Sequence, residues 1–156
     1  MNKITPFLWL EKNGEEAVNY YFSIFTKSKL VSLSRHGEGG NGAAGEMFVA
    51  SIELENIPLT ILNGGPHYTL TPAFSLSIDC ADQAEVDHYW DKLGEGGQPM
   101  QCGWLTDRYG VTWQIVPSAL PRLLAGKDLE KTKRVMAAMM KMVKLDVALL
   151  EAAAEG

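Results

Sequence analysis

The two halves of this chain repeat each other at a constant offset of 68 residues. Residues Leu8–Phe25 read LWLEKNGEEAVNYYFSIF, and residues Leu76–Leu93 read LSIDCADQAEVDHYWDKL. Each segment starts with a short apolar run, passes a turn of acidic and small residues, and continues as a helix-like pattern. The identical pairs are Leu8/Leu76, Val18/Val86 and Tyr21/Tyr89. A repeat shorter than a domain predicts two similar units that build one core together. The surface between such units is the natural place for a ligand.

In both halves, apolar periodicity predicts a strand, then a helix, then further strands. In the first half a strand at 4–10 precedes an amphipathic helix at about 15–25, and strands follow at 30–35, 47–54 and 57–62. In the second half we expect a strand at 74–79, a helix at 83–93 and strands at 100–105 and 111–116. We therefore predict a single domain over residues 1–156, with module 1 at about 4–66, module 2 at about 72–117 and a helical extension at about 120–153.

Composition excludes several classes of partner. The net charge of −5 and the pI of about 5.2 argue against binding nucleic acid or an anionic membrane surface, because both need clustered Lys and Arg. No apolar run reaches the length of about 20 residues that a membrane helix needs, and the N-terminal segment does not read as a signal peptide. The two cysteines, Cys80 and Cys102, form no metal-binding pattern, so we expect reduced thiols and a cytoplasmic location.

Two further segments carry predictions about the periphery of the fold. The glycine-rich stretch at 37–46, GEGGNGAAGE, predicts a mobile hairpin loop. It is no phosphate-binding loop, because no Lys-Ser or Lys-Thr pair follows it. Near the C-terminus we expect a short helical turn at Pro121–Leu124 and one long helix from Asp128 to about Ala153 with a methionine-rich stripe. We expect this stripe to pack on the body of the protein or on a second subunit of a homodimer; a peptide-binding groove is the alternative.

Several segments carry a resemblance that covers nearly the whole chain. They are Ile4–Trp9, Glu15–Tyr21, Leu62–Pro66, Asp82–Leu93, Cys102–Pro117 and the tail segment Arg134–Met139. With the order strand–helix–strand–strand–strand occurring twice, the chain resembles the PhnB-like branch of the vicinal oxygen chelate superfamily, which includes glyoxalase I and extradiol dioxygenases. The resemblance implies an α+β fold in which two βαβββ modules form a curved mixed sheet, with a C-terminal helix added.

The resemblance also implies where a metal would bind. Superfamily enzymes generally hold one divalent metal with His and Glu side chains from the first and last strand of each unit. The matching positions in this chain are Thr5, Thr60, Ala73 and Gln114. Hydroxyl and amide groups are weak ligands beside carboxylate and imidazole, and Ala73 offers no ligand atom. We therefore expect no metal and no other cofactor, and we expect none of the three histidines, His36, His67 and His88, to restore the site.

The same positions predict a binding cleft, because side chains alternate between the two faces of a strand. The expected lining is aromatic and aliphatic with a few neutral polar groups, which suits a small apolar or aromatic molecule. It consists of Thr5, Phe7, Trp9, Thr60, Leu62, Ser75, Cys102, Trp104, Thr112 and Gln114. Cys102 is the most reactive type of side chain in this set, but a small strand residue beside Gly103 is the simpler interpretation. We assign no catalytic residue.

Three functions remain open at this point. The first is a metal-free module that binds a small molecule. The second is an enzyme, either a metal-dependent lyase or dioxygenase or the 3-demethylubiquinone-9 3-methyltransferase with which this branch is commonly labelled. A methyltransferase usually binds S-adenosylmethionine in a glycine-rich turn after its first strand, whereas residues 11–15 read EKNGE here. The third is a structural protein whose cleft is vestigial.

Overall fold

A computed structural model describes residues 2–40 and 42–156, so Asn41 of the predicted glycine-rich loop lies outside the described residues. The chain forms two compact units, the first ending at Leu70 and the second beginning at Thr71. The boundary falls between the two predicted modules. Each unit contains a four-stranded mixed sheet and at least one helix, so the α+β prediction is confirmed.

The first unit has the order strand–helix–strand–strand–strand. Its elements are β1 (Phe7–Leu10), α1 (Gly14–Ile24), β2 (Ser28–Arg35), β3 (Met47–Leu54) and β4 (Ile57–Asn63). In space the strands lie in the order β1-β4-β3-β2, with β1 parallel to β4 and the other neighbours antiparallel. The left-handed residue Asn13, with φ of 65°, turns the chain from β1 into α1.

One face of this sheet is buried against α1. Ala17, Val18 and Tyr21 of the helix are buried, and so are the alternate strand residues of the facing sheet. Those strand residues are Leu8, Leu10, Ala50, Ile52, Leu54, Leu59 and Ile61. The period of two that separates the faces of a strand therefore leaves the intervening residues on the opposite face, free of the helix.

The turn between β3 and β4 is a tight two-residue hairpin at Glu55-Asn56. Both residues have positive φ, 48° and 67°, as a two-residue turn of type I′ requires. The register of this hairpin pairs Leu54 with Ile57 and Ser51 with Thr60. Because a slip of one residue would turn every side chain to the other face, this turn determines which β4 residues face away from α1.

The second unit repeats the order and then extends it. Its elements are β5 (Leu76–Cys80), α2 (Gln83–Gly94), β6 (Gln98–Pro99), β7 (Trp104–Thr106), β8 (Thr112–Pro117), α3 (Ala119–Leu124), α4 (Leu129–Met139) and α5 (Val147–Glu155). The strands lie in the order β5-β8-β7-β6, and β5 is parallel to β8. The continuous strand predicted at 100–105 is wrong, because Cys102 and Gly103 adopt positive φ values of 61° and 82° and break the ladder into β6 and β7.

The prediction of one long C-terminal helix is also wrong, while the predicted short helix is confirmed as α3. The chain leaves the helical path after Met139 and returns to it at Val147, where the Asp146 carboxylate accepts a hydrogen bond from Leu149 N. The connecting segment finds other partners, since Met142 O and Val143 O accept from the backbone N–H groups of Cys102 and Gly103. The three helices share a core of Leu120, Leu123, Val135, Leu145 and Leu150, with Met139 and Met142 packed against it.

None of the helices within residues 2–40 and 42–156 is long and apolar enough to cross a membrane.

Candidate functional site

A cavity of about 520 Å³ opens in the first unit, where β1 and β4 end and α1 begins. We call it the unit 1 cavity. Its aromatic and apolar walls come from Trp9, His36, Phe48 and Leu62. Its polar lining comes from Glu11, Lys12, Asn13, Glu46 and Asn63, and glycines 42, 64 and 65 complete it. The volume lies within the range of about 300–1,000 Å³ that is usual for small-molecule sites.

Trp9 is fixed as a wall of this cavity by the Gly64-Gly65 turn. Its indole Nε1 donates a hydrogen bond of 2.9 Å to Gly65 O. The indole also lies directly on Gly64, where an added Cβ would be only 2.3 Å from Trp9 Cε2. Tyr68 stands edge-on to the indole, with ring centroids 5.0 Å apart. Gly64 is therefore required by the close approach of the ring, and Trp9 is pre-positioned before any ligand binds.

Another part of the lining is built by His36 and Phe48, whose rings lie 4.8 Å apart. Phe48 owes its position to an irregularity in the sheet. The register pairs Ser34 with Val49 and Arg35 with Met47, so Phe48 has no opposite residue and is a β-bulge. Its ring remains 44% exposed, and thus available to a ligand.

Asn63 is a structural part of the lining. Its Nδ2 donates to Met47 O over 2.8 Å, and its Oδ1 accepts from Gly14 N over 2.7 Å. The side chain thereby joins β4 to the start of β3 and to the first N–H of α1. Both ends of the amide are occupied, so Asn63 shapes the cavity more than it offers hydrogen bonds to a ligand.

An ion pair between Arg35 and Glu15 lies at the edge of the unit 1 cavity, next to the end of β2. Arg35 Nη2 and Nη1 donate to the two carboxylate oxygens of Glu15 over 2.6 and 2.8 Å, and Nη1 also donates to Gly45 O over 3.0 Å. The hydrogen bonds from Arg35 lower the pKa of Glu15, and the same contact raises the pKa of Arg35. This bidentate pair links α1 to the end of β2, next to His36.

The predicted cleft residues of the first unit share one face. The parallel register pairs Phe7 with Thr60 and Trp9 with Leu62, on the face opposite α1. Trp9 and Leu62 also line the unit 1 cavity. Thr5 is exposed and precedes β1, so it is not a strand residue.

In the second unit the predicted residues divide into two groups. The register places Trp104 opposite Gln114, and Gln114 Nε2 donates to Ser75 Oγ over 2.9 Å. Thr112 lies on the same strand face two residues before Gln114; it is only 2% exposed, and its Oγ1 has no hydrogen-bond partner among the described residues. Cys102 does not join this face. It lies in the turn before β7, with Sγ 3.7 Å from Met140 Sδ of the C-terminal extension.

The four positions predicted to correspond to superfamily metal ligands offer a poor donor set. Thr60 presents a hydroxyl, the Gln114 amide is hydrogen-bonded to Ser75, and Thr5 and Ala73 lie outside the strands. Within residues 2–40 and 42–156, no cluster of three or more His, Cys, Asp or Glu side chains is arranged to hold a metal ion. The donor chemistry at these positions does not fit a divalent cation. His67 and His88 are both exposed, the latter on α2.

Sequence patterns missed the contribution of Phe48 and Glu46 to the unit 1 cavity. A strand of strict period two would put Phe48 on the buried face with Ala50 and Ile52, and only the bulge redirects it. The one sequence feature that could have indicated Glu46 is its position in a polar loop next to the aromatic strand residue Phe48. Asp107, in the turn between β7 and β8, is only 3% exposed, and its carboxylate accepts hydrogen bonds from Trp113 Nε1 and from Tyr109 N.

The two cysteines of the second unit, Cys80 and Cys102, differ in their exposure. Burial raises the pKa of the Cys80 thiol to about 12, and the nearby Glu85 and Asp79 carboxylates add to the shift. Cys80 therefore stays protonated and unreactive near neutral pH. Cys102 is partly exposed, and both cysteines are free.

A second and smaller cavity, of about 330 Å³, lies in unit 2 between α2 and the β6–β7 region. Trp90, Glu95, Pro99 and Leu105 contribute to its lining. It contains none of the predicted cleft residues, so the unit 1 cavity is the better candidate site.

Comparison with known proteins gives a consistent result. The sequence model of the 3-demethylubiquinone-9 3-methyltransferase family matches residues 2–116, so α3, α4, α5 and the tail segment Arg134–Met139 lie beyond the match. The chain is 35% identical to a PhnB protein from Bacillus cereus that carries the same 3-demethylubiquinone-9 3-methyltransferase name, with a TM-score of 0.71 over 75% of this chain and 100% of that one.

Two more distant structures share the fold. A protein from Pseudomonas aeruginosa is 21% identical, with a TM-score of 0.63 over 75% of this chain and 98% of its own. The fosfomycin resistance protein FosX from Mesorhizobium loti is 13% identical, with a TM-score of 0.51 over 72% of this chain and 90% of its own. No curated protein matches the sequence.

Proposed function

We propose, on the premise that this chain belongs to the 3-demethylubiquinone-9 3-methyltransferase family within the vicinal oxygen chelate superfamily, that it binds a small apolar or aromatic molecule without a metal ion. The unit 1 cavity is the site we propose for this binding. The protein acts as a homodimer in the cytoplasm, where its two free thiols would stay reduced.

The observation that carries this proposal is the construction of the cavity walls. Trp9 is held by a hydrogen bond to Gly65 O and by its contact with Gly64. Phe48 is turned toward the cavity by a bulge, next to His36. Rigid aromatic walls lose little entropy when a ligand binds between them. Side chains that merely cover a sheet surface would not require a glycine, Gly64, beneath the Trp9 ring or a β-bulge at Phe48.

The neutral donors at the ancestral ligand positions support metal-free binding over metalloenzyme chemistry. A hydroxyl at Thr60 and an amide at Gln114 that is already bonded to Ser75 would bind a divalent cation weakly.

Binding is also favoured over the methyl transfer that the family label names. The glycine-rich segment lies between the antiparallel strands β2 and β3. An S-adenosylmethionine site would usually need such a turn after the first strand of a parallel sheet, where Glu11 and Lys12 stand instead.

The homodimer is supported by the apolar surface of the C-terminal extension. Leu129, Met136, Met140, Val143 and Leu149 are large apolar residues with exposed side chains. Exposed large apolar side chains of this kind are common at a subunit contact. A molecular mass of two chains in light scattering would support this part of the proposal, and a monomer at about 100 µM, well above the Kd of a stable dimer, would contradict it.

A thermal-shift screen followed by calorimetry tests the binding proposal. Neutral aromatic compounds and quinones are screened with S-adenosylmethionine as a separate arm. A ligand of the site should raise the melting temperature, because binding to the native state alone stabilises it. Phe48→Ala should abolish the shift, while Phe74→Ala, an exposed phenylalanine in the other unit, should leave it unchanged. A shift that survives Phe48→Ala would contradict the assigned site, and micromolar S-adenosylmethionine binding would favour the methyltransferase.

A further inference from the structure

The charged side chains of the unit 1 cavity give it a negative balance. Glu11, Lys12 and Glu46 are its Asp, Glu, Lys and Arg residues, so one positive and two negative groups sum to −1. Within the described part of the chain, none of the three takes part in a salt bridge. Their charges are therefore not cancelled by a protein partner and remain available to a ligand.

The positive N-terminal end of the α1 dipole weakens the negative charge of the cavity but does not reverse its sign. A helix N-terminus carries roughly half a positive charge, and Asn13, the residue that caps α1, lines the cavity. The first N–H of α1, that of Gly14, is already bonded to Asn63 Oδ1. Glu15 and Glu16 occupy the first turn of the helix, and Glu15 is paired with Arg35. Adding roughly half a charge to −1 leaves the sum negative.

The aromatic walls, like the negative charge of the cavity, favour a positively charged ligand. The faces of Trp and Phe rings attract cations through the ring quadrupole, by about 0.5–1 kcal/mol at exposed sites. Phe48 is 44% exposed, and the Trp9 ring is fixed beside it in the lining. The overall charge of −5 adds a weak attraction for cations at low salt.

We propose that the unit 1 cavity selects aromatic organic cations, such as arylalkyl ammonium compounds, over anions of the same shape. This inference rests on the proposed function and adds the charge of the ligand to it. Glu46 and Glu11 supply the Coulombic attraction, and the Phe48 and Trp9 rings receive the ammonium or the aromatic group. Lys12 reduces the selectivity, so the preference is moderate.

Three indoles of matched size test the preference by calorimetry at low salt, about 20 mM, where charges are weakly screened. They are tryptamine, a cation; 3-ethylindole, which is neutral; and indole-3-propionate, an anion. We expect tryptamine to bind about three- to tenfold more tightly than indole-3-propionate, as exposed charges and cation–π contacts permit. The preference should shrink at about 500 mM salt, where exposed charges are screened.

Variants separate charge from shape. The double variant Glu11→Gln, Glu46→Gln should remove the preference for tryptamine over indole-3-propionate. Glu38→Gln is the matched control, because Glu38 is an exposed glutamate in the same β2–β3 loop that does not line the cavity. All of these glutamates are exposed, so we expect each variant to fold.

The outcomes distinguish this inference from the proposed function. If 3-ethylindole binds but tryptamine shows no advantage over indole-3-propionate, the cation preference is wrong and the binding function stands. A preference that persists in the double variant would also overturn the assignment to Glu11 and Glu46. If none of the three indoles binds at millimolar concentration while another neutral aromatic compound or quinone from the thermal-shift screen does, the cation inference is wrong and the binding function stands. If that screen finds no ligand either, both fail.

Discussion

Replacing Gly64 by alanine tests the physical basis of the cavity wall. The new Cβ would lie 2.3 Å from Trp9 Cε2 and 2.5 Å from Trp9 Cδ2, which is far inside van der Waals contact. Because Gly64 is not at positive φ, the backbone itself tolerates alanine, and the strain falls on the indole. The ring must move, and its Nε1 hydrogen bond to Gly65 O is lost.

The expected cost follows from three opposing terms. Overpacking of this kind costs about 1–3 kcal/mol, and the lost hydrogen bond adds about 0.5–1.5 kcal/mol. Alanine recovers about 0.4–1 kcal/mol by restricting the unfolded chain. We expect a net loss near 2 kcal/mol in the free energy of unfolding, or roughly 4–8 °C in melting temperature for a chain of this size.

Urea unfolding of Gly64→Ala beside Gly37→Ala measures this difference. A Cβ added at Gly37 would meet no atom within 4 Å, and Gly37 has no positive φ, so its substitution should leave stability unchanged or raise it by up to about 1 kcal/mol. Ligand affinity should fall in Gly64→Ala as well, because the displaced indole no longer forms the wall. Equal stability and equal affinity of the two variants would refute the role we give to Gly64 and Trp9.

Other predictions concern the frame of the site and the thiols. Asn63→Leu should lower the free energy of unfolding by about 2–3 kcal/mol in urea titrations, since two partly buried hydrogen bonds are lost; Asn19→Leu, an exposed substitution on α1, should not reproduce this. A disulfide reagent near pH 8, close to the ordinary thiol pKa, should label Cys102 and spare Cys80, whose pKa of about 12 keeps it protonated; rapid labelling of Cys80 in the native protein would be the opposing result. The lowered pKa of Glu15 predicts that its pairing with Arg35 stabilises the protein above the ordinary glutamate pKa and loses this effect as the pH falls through the lower, folded value. The melting-temperature difference between the original protein and Glu15→Gln should therefore be present near pH 6 and vanish on acidification; a difference that grows toward low pH would show the sign to be wrong.

Much of the fold can be predicted from local sequence patterns, such as apolar alternation along a strand. The period of two along β1 and β4 separates Leu8 and Ile61 from Trp9 and Leu62, so the helix-free face could be predicted without coordinates. The Glu55-Asn56 turn then fixes the register. Strand alternation with a tight turn leaves few alternatives for such a hairpin.

The failures share a different cause, which is the competition of tertiary hydrogen bonds with local propensity. The apolar periodicity from Val135 to Leu149 predicts one helix, yet Met142 O and Val143 O bond to the turn at Cys102. Positive φ at Cys102 and the bulge at Phe48 also depart from the regular strands that local patterns predict. As a result, the cavity could be predicted only in the part that regular strands contribute.

Calorimetric titration of chelator-treated protein with a neutral aromatic ligand from the screen tests the central claim most directly. The account predicts saturable binding with one ligand per chain, an affinity unchanged within twofold by added Zn²⁺, Mn²⁺ or Ni²⁺, and loss of the signal in Phe48→Ala. Binding that appears only after a divalent metal is restored, or that is indifferent to Phe48, would contradict it.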